Sequence, residues 1–234
     1  MMEHLYIRSA GAAYGLIGTL SNGFSASRQI ELSSEFAAVG TTFERVRDAL
    51  LTDQRCDLAV LTPALAQRLI GEFPDRVTPG GSLGITATCL ACVGDAKAFD
   101  ISTVDALRKT FSSLDVIYTG DTRHSTVGRH LMQVLERLDL ADGLGAEVVD
   151  FPGGALAVAA LRDTDKRALA CAQLTEIRQH ADATSVGPLP GKFHLASEYV
   201  LAIIDKAPAA THFAAMLTDA SQVETRRRSG FEPA

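Results

Sequence analysis

The stretch that most constrains the fold runs from Ser113 to Leu138, SLDVIYTGDTRHSTVGRHLMQVLERL. A short apolar run, Leu114 to Tyr118, passes through a turn rich in hydroxyls into an amphipathic helix. Leu131, Val134, Leu135 and Leu138 recur at three- and four-residue steps, which puts them on one helix face. Ser125 or Thr126 stands where an N-cap belongs, with Gly128 in the first turn. A helix start leaves backbone N–H groups without intrahelical partners and carries partial positive charge, so it suits an anion. The plainer reading is a capped helix after a strand, as any α/β protein has.

Two further segments repeat the pattern near the N-terminus. Leu5 to Ile7 reads as a strand, Ser9 to Ala12 as a tight turn of small residues, and Tyr14 onward as a helix. Ile30 to Ala38 reads as a strand leading through Val39, Gly40, Thr41 and Thr42 to a helix from Phe43. Three strand–turn–helix units suggest several loops converging on one polar ligand. The chain of 234 residues is long enough for one large or two modest α/β domains. A net charge of −6 argues against a general nucleic-acid binder, and Arg226, Arg227 and Arg228 form the only tight basic run. No apolar run reaches the roughly 18 residues needed to span a bilayer. Met1 to His4 lead directly into the first strand without the pattern of an export signal. As written, the sequence predicts a cytoplasmic protein, or a periplasmic one if such a signal was removed.

Cys89 and Cys92 form a CxxC, but within a strand predicted from Ile85 to Val93 they point to opposite faces. That opposes a redox motif or zinc knuckle, and no second CxxC completes a metal site. Cys56 and Cys171 read likewise as small buried hydrophobes. No dinucleotide fingerprint, P-loop, HExxH or GxSxG occurs, so no cofactor and no metal is expected. Strands are predicted at 4–8, 30–38, 57–61, 84–93, 114–118, 146–150, 168–172 and 197–204. Helices alternate with them at 13–24, 43–52, 63–70, 102–111, 126–138, 153–161, 173–179 and 208–218, with a last one near 220–228. This alternation implies mostly parallel sheets flanked by helices. Pro79–Gly81 and Gly187–Gly191 break the pattern, each before a strand, as in a chain crossing twice between two lobes.

In order and spacing, LYIRSAGAA, FAAVGTTFERV, CDLAVLTPA, GDTRHSTVGRHLMQVLERL, FPGGALAVAAL and the closing SGFEPA resemble the molybdate-type substrate-binding proteins of ABC transporters. The resemblance spans the chain and implies the α/β, two-lobed type II periplasmic-binding-protein fold, with a ligand cleft between the lobes. It suggests lobe 1 over 1–83 and 193–234 and lobe 2 over 84–192. An ABC permease is an implied partner if the chain is exported; the oligomeric state is left open.

The departures bear on the ligand. Where the family places a serine hydroxyl in the first loop, this chain has Ala12, with Ser9 earlier in the turn. The second-loop serine becomes Thr41, beside Thr42, and the second-lobe positions fall at Val127 and Pro152. Pro152 has no N–H to donate. The family's ligand-contacting tyrosine falls at Gln173, whose amide offers both donor and acceptor and suits an organic acid. Arg8 and Arg123 are candidates for holding a carboxylate bidentately. Gly11 and Gly154 would let a ligand approach the backbone, and Ser125 and Thr126 supply hydroxyls. His130 reads as a helix-surface residue, and Glu198 and Tyr199 as residues of the returning strand. Two functions survive: a receptor for a small anion, or an enzyme on the same fold that isomerises a polycarboxylate by proton transfer, similar to aconitate isomerase. No base is identified; His124 and Ser9 are the candidates.

Overall fold

One β-α-β-α-β arrangement occurs twice in this chain, and within each occurrence the helices start at the carboxyl ends of that unit's own parallel strands. The computed structural model describes residues 3–140 and 143–234; Met1 and Met2, read above as leading into the first strand, lie outside the described residues. The chain divides into two compact units, the first ending at Ile85 and resuming with Glu198–Ala234, the second spanning Thr86–Ser197.

In unit 1, β1 (Glu3–Ala10) passes through a 3-10 turn, Gly11–Ala13, into α1 (Tyr14–Arg28). Then β2 (Ile30–Ala37) runs into α2 (Val39–Leu51), and β3 (Leu58–Leu61) into α3 (Pro63–Glu72). The central strand β1 pairs in parallel with β2 and β3, with Ala10 opposite Ala37 and Ser9 opposite Val60. Leu5 and Ile7 alternate with half-exposed Tyr6 and Arg8 and are fully buried. Phe43, Val46 and Leu50 give α2 the buried stripe that seats it on this sheet. A substantial core results, in which each buried Leu, Ile, Val or Phe contributes about 1.5–3 kcal/mol.

In unit 2, β5 (Val116–Gly120), α5 (Thr126–Arg137), β6 (Glu147–Phe151), α6 (Gly154–Ala159), β7 (Ala168–Gln173) and α7 (Leu174–Ile177) repeat the scheme. Here β5 is central, parallel to both β6 and β7. The predicted helix face is the observed one: Leu131, Val134 and Leu135 of α5 are buried with Val127, and Leu138 just beyond. Antiparallel strands extend both sheets. In unit 1, β3 pairs with β9 (Ala196–Ile204), which neighbours the long β4 (Val77–Val93). In unit 2, β4 pairs with β7 and with β8 (Ala183–Pro188). The chain therefore passes between the units within β4 and within β9. Helix α4 (Val104–Ser112) precedes β5, while α8 (Pro208–Thr218) and α9 (Val223–Arg228) close unit 1.

Three sequence expectations need correction. Pro79–Gly81 is no break: β4 begins at Val77 and runs through it. The glycines serve close approach there, since a Cβ on Gly80 would stand 2.8 Å from Leu201 Cβ, and Gly81 has φ of +100°. Strand β8, with its glycine–proline end, was not predicted, because Val186 is its only large apolar residue and most of it is exposed or half-exposed. Helix α2 begins at Val39, so Thr41 and Thr42 lie in its first turn and not in a preceding loop.

Candidate functional site

The carboxyl edge of β2-β1-β3 collects three helix starts. Parallel strands end at the same edge, and β1 feeds β2 on one side while β2 returns to β3 on the other, the arrangement in which α/β sheets bind ligands. The residue preceding the 3-10 turn is Ala10, the N-cap of α1 is Ala13 and that of α2 is Ala38; no side chain caps any of these starts. Alanine has no acceptor to offer, so the first N–H groups of α2, those of Val39, Gly40 and Thr41, face outward from the helix without a capping side chain. The two turns are tied together: the Thr42 hydroxyl donates to the Ser9 carbonyl at 3.1 Å. Ser9 is fully buried and donates its own hydroxyl to the Ala10 carbonyl at 2.9 Å. Ser9 and Thr42 are thus structural in this state, while Thr41 and Gly11 are half-exposed at the edge beside buried Ala12.

The corresponding edge of unit 2 is built differently. Ser125 caps α5, its Oγ accepting from the Gly128 N–H at 2.8 Å. Only glycine fits at 128, because a Cβ would lie 2.3 Å from the Gly120 carbonyl oxygen. Asp121 folds back on its own turn and accepts from the N–H groups of Arg123 (2.7 Å) and His124 (2.8 Å) and lies 3.1 Å from His124 Nδ1. Burial pushes the Asp121 carboxyl up, but these hydrogen bonds outweigh it and hold it below the usual carboxylate range. Asp150 of β6 accepts from the N–H and hydroxyl of Thr122. The Gly154 N–H, expected to approach a ligand, is given to buried Glu176 at 3.1 Å, and Glu176 also accepts from the Gln173 N–H at 3.0 Å. Burial drives the Glu176 carboxyl above its usual range against the pull of the Gln173, Gly154 and Ala155 N–H groups.

The remaining candidates separate by environment. Arg8 gives Nη1 to the Arg45 carbonyl at 2.6 Å and lies 3.5 Å from Glu35, so its guanidinium is engaged within unit 1. Arg123 and His124 are exposed and Thr126 is half-exposed; Val127 is buried and offers only its backbone. Gln173 is buried at the end of β7, forms a reciprocal capping box with Glu176, and directs Nε2 toward Ser197 Oγ at 3.5 Å. His130 bonds the Phe193 carbonyl at 2.8 Å, and Glu198 accepts from Ser82 at 2.7 Å. All four cysteines are free and buried, Cys89 and Cys92 in different core clusters as their spacing on a strand requires. Among the described residues no cluster of His, Cys, Asp and Glu could hold a metal ion, and no helix is long and apolar enough to cross a membrane.

Sequence reasoning missed the three carboxylates. Glu176 left a trace: Gln173 and Glu176 stand in N-cap and N3 spacing, and FPGG places two glycines before a helix. Asp121 and Asp150 left only the general tendency of Asp to bond nearby backbone in turns.

Comparison with known proteins agrees with this architecture. A search of the curated proteins found no match. Among solved structures, the periplasmic molybdate-binding protein of Azotobacter vinelandii superposes with a TM-score of 0.73 at 15% identity, covering 98% of this chain and 99% of that one. The sulfate-binding protein SubI of Mycobacterium tuberculosis gives 0.73 at 14% identity, covering 99% and 87%. Peb3 of Campylobacter jejuni gives 0.65 at 12% identity, covering 98% and 100%. At these identities the likeness shows the fold, which is the α/β periplasmic-binding-protein fold. Residues 5–232, nearly the whole chain, match the family described as bacterial extracellular solute-binding protein, and this chain belongs to it.

Proposed function

We propose that this solute-binding protein captures a small anion, an oxyanion or an organic acid, and that the α1–α2 edge of unit 1 takes the ligand's charge. One observation carries this reading: α2 starts behind an alanine N-cap at the carboxyl edge of the sheet, and the Thr42–Ser9 bond ties that start to the end of β1. Donors held in place by the fold and unclaimed by side chains favour an anion through hydrogen bonds and the helix dipoles. The names of the similar structures support the class, since two are described as molybdate- and sulfate-binding, and Peb3 has been seen with L-phospholactate. In this reading the partner is an ABC permease that receives the bound anion. The isomerase alternative gains no support: the candidate base His124 sits in an exposed turn on Asp121, and Ser9 is buried in a backbone bond.

The test is thermal shift of the protein against molybdate, tungstate, sulfate, phosphate and di- and tricarboxylates, including both aconitates. A ligand that binds only the folded state at 100 times its Kd stabilises by about 2.7 kcal/mol, a rise of roughly 5–10 °C. The two edges are tested separately. Thr41→Ala should weaken the response if unit 1 carries the charge, and Arg123→Ala should weaken it if unit 2 does. No response to any anion sinks the proposal.

A further inference from the structure

We propose that Glu176 is a built-in anion, a positioning and specificity-determining residue whose carboxylate claims the backbone donors of unit 2 that a bound ligand would otherwise find. Its two oxygens divide the work: Oε1 accepts from the Gly154 N–H at 3.1 Å and Oε2 from the Gln173 N–H at 3.0 Å. Both oxygens accepting at once suits an ionised carboxylate, and these N–H groups hold that form against the burial that favours the neutral one. The residue is 6% exposed, and among the described residues no cation is a hydrogen-bond or charge partner, so the backbone N–H groups are its compensation.

The surroundings are shaped to this carboxylate. A Cβ on Gly154 would stand 2.1 Å from Oε2, so residue 154 must be glycine for the carboxylate to reach the backbone. Gly153 extends the chain before α6, and Gln173 returns the contact through the capping box. One side chain thus fastens the turn after β6 to the end of β7. In unit 1 the β2–α2 turn occupies the corresponding step of the topology, and there an alanine N-cap leaves the donors unclaimed. Glu176 therefore withholds unit 2's Gly154 and Gln173 N–H groups from any external anion. This inference rests on unit 2 alone and does not require the receptor reading.

Replacement and chemical rescue test it on the full chain. Glu176→Ala removes atoms matching those of one acetate ion. We expect its Tm to fall by about 10 °C, the scale set by two charge-assisted bonds lost in the interior. Acetate, compared with chloride at equal ionic strength, should restore at least half of that fall in a saturable manner. Hydrogen exchange at the Gly154 and Gln173 amides supplies the specific readout: fast in Glu176→Ala, slowed again by acetate, and indifferent to acetate in the native protein. Glu176→Gln fills the same space but turns an amide N–H₂ toward one of the two donors. It should lose stability, show one exposed amide of the pair and ignore acetate. Should Glu176→Ala not fold, its refolding yield in acetate against chloride and the Glu176→Gln result decide the matter. Equal behaviour in acetate and chloride, or a Glu176→Gln protein with native Tm and native exchange, overturns the proposal. Neither outcome depends on whether the native protein responds to the anion panel.

Discussion

Units 1 and 2 are built on the same β-α-β-α-β scheme, yet they treat their helix starts in opposite ways. Around β1, alanine stands at Ala10, Ala13 and Ala38, and no side chain meets the N–H groups that follow. Around β5, Ser125 caps α5, Asp121 and Asp150 fold over the intervening turn, and Glu176 closes the start of α6. An uncapped start forgoes about 1 kcal/mol relative to a capped one. In unit 1 the Tyr14 N–H at the start of α1 is met by the Gly11 carbonyl of the preceding 3-10 turn, whereas the start of α2 forgoes a cap, and in the proposed reading an external anion supplies the acceptor there. Unit 2 spends its own acidic groups on the same task. Topology alone therefore does not locate the ligand; the difference lies in which unit leaves its donors unfilled.

The strongest way to break this comparison is to disturb the internal anion. Gly154→Ala would press a methyl group into the Glu176 carboxylate, where 2.1 Å is far inside contact distance. Overpacking and the displaced buried charge together should cost about 3 kcal/mol or more, read as a Tm drop of roughly 6–12 °C. A Tm within about 2 °C of native would mean that Glu176 has another place to go. The complementary change transfers the unit 2 solution to unit 1. Ala38→Asp places an acceptor at the α2 N-cap, whose φ of −54° and ψ of 142° are compatible with that position. It should raise Tm by about 2–4 °C in buffer and reduce affinity for the responding anion at least about tenfold. Unchanged affinity in Ala38→Asp would move the site away from the α2 start.

Much of this scheme is legible in the sequence, and the illegible part has a physical reason. The helix face of Leu131, Val134, Leu135 and Leu138 and the Ser125 cap are local patterns, written within one turn or two. The alternation of strands and helices is local too. What escaped were features set by partners distant in sequence. Pro79–Gly81 looks like a break until Leu201 of β9 lies against Gly80, and β8 carries too little apolar pattern to announce itself. At the candidate site, Thr42 and Ser9 were identified by residue type, but the Thr42 hydroxyl is turned to the Ser9 carbonyl, a contact across 33 residues, and the Ser9 hydroxyl to the neighbouring Ala10 carbonyl. Gly154 was singled out as a place where a ligand would approach the backbone. The group that approaches it is Glu176, 22 residues onward.

A paired substitution sharpens the comparison at smaller scale. Ser125→Ala removes a side chain whose oxygen already serves the Gly128 N–H, and should cost about 1 kcal/mol of stability, or roughly 2–4 °C. Thr41→Ala alters a half-exposed residue of the α2 first turn and should leave Tm within about 1 °C. The anion response should rank them the other way, with Thr41→Ala the weaker binder by isothermal titration. If Ser125→Ala proved the weaker binder at equal folded fraction, unit 2 would hold the ligand's charge.

The smallest expected effect concerns acid. Asp121 is partly desolvated, which alone would raise its pKa, but the backbone N–H groups of His124 and Arg123 and the His124 ring reverse that direction. The folded protein therefore holds the Asp121 proton less tightly than the unfolded chain, whose aspartates titrate near pH 4. Its contribution is fully present above that pH and is lost as pH falls through the lower folded value. With the side chain 30% exposed and the pairing local, about 1 kcal/mol is the scale after screening by water. Asp121→Asn keeps one acceptor but no titrating charge, so its Tm should lie slightly below native at pH 6 and converge with native near pH 3. A constant gap between the two across pH 3 to 6 would show that the Asp121 turn is held by geometry and not by charge. In that case the unit 2 edge would be less acidic in effect than its hydrogen bonds suggest, and the contrast with unit 1 would rest on Glu176 and Ser125 alone.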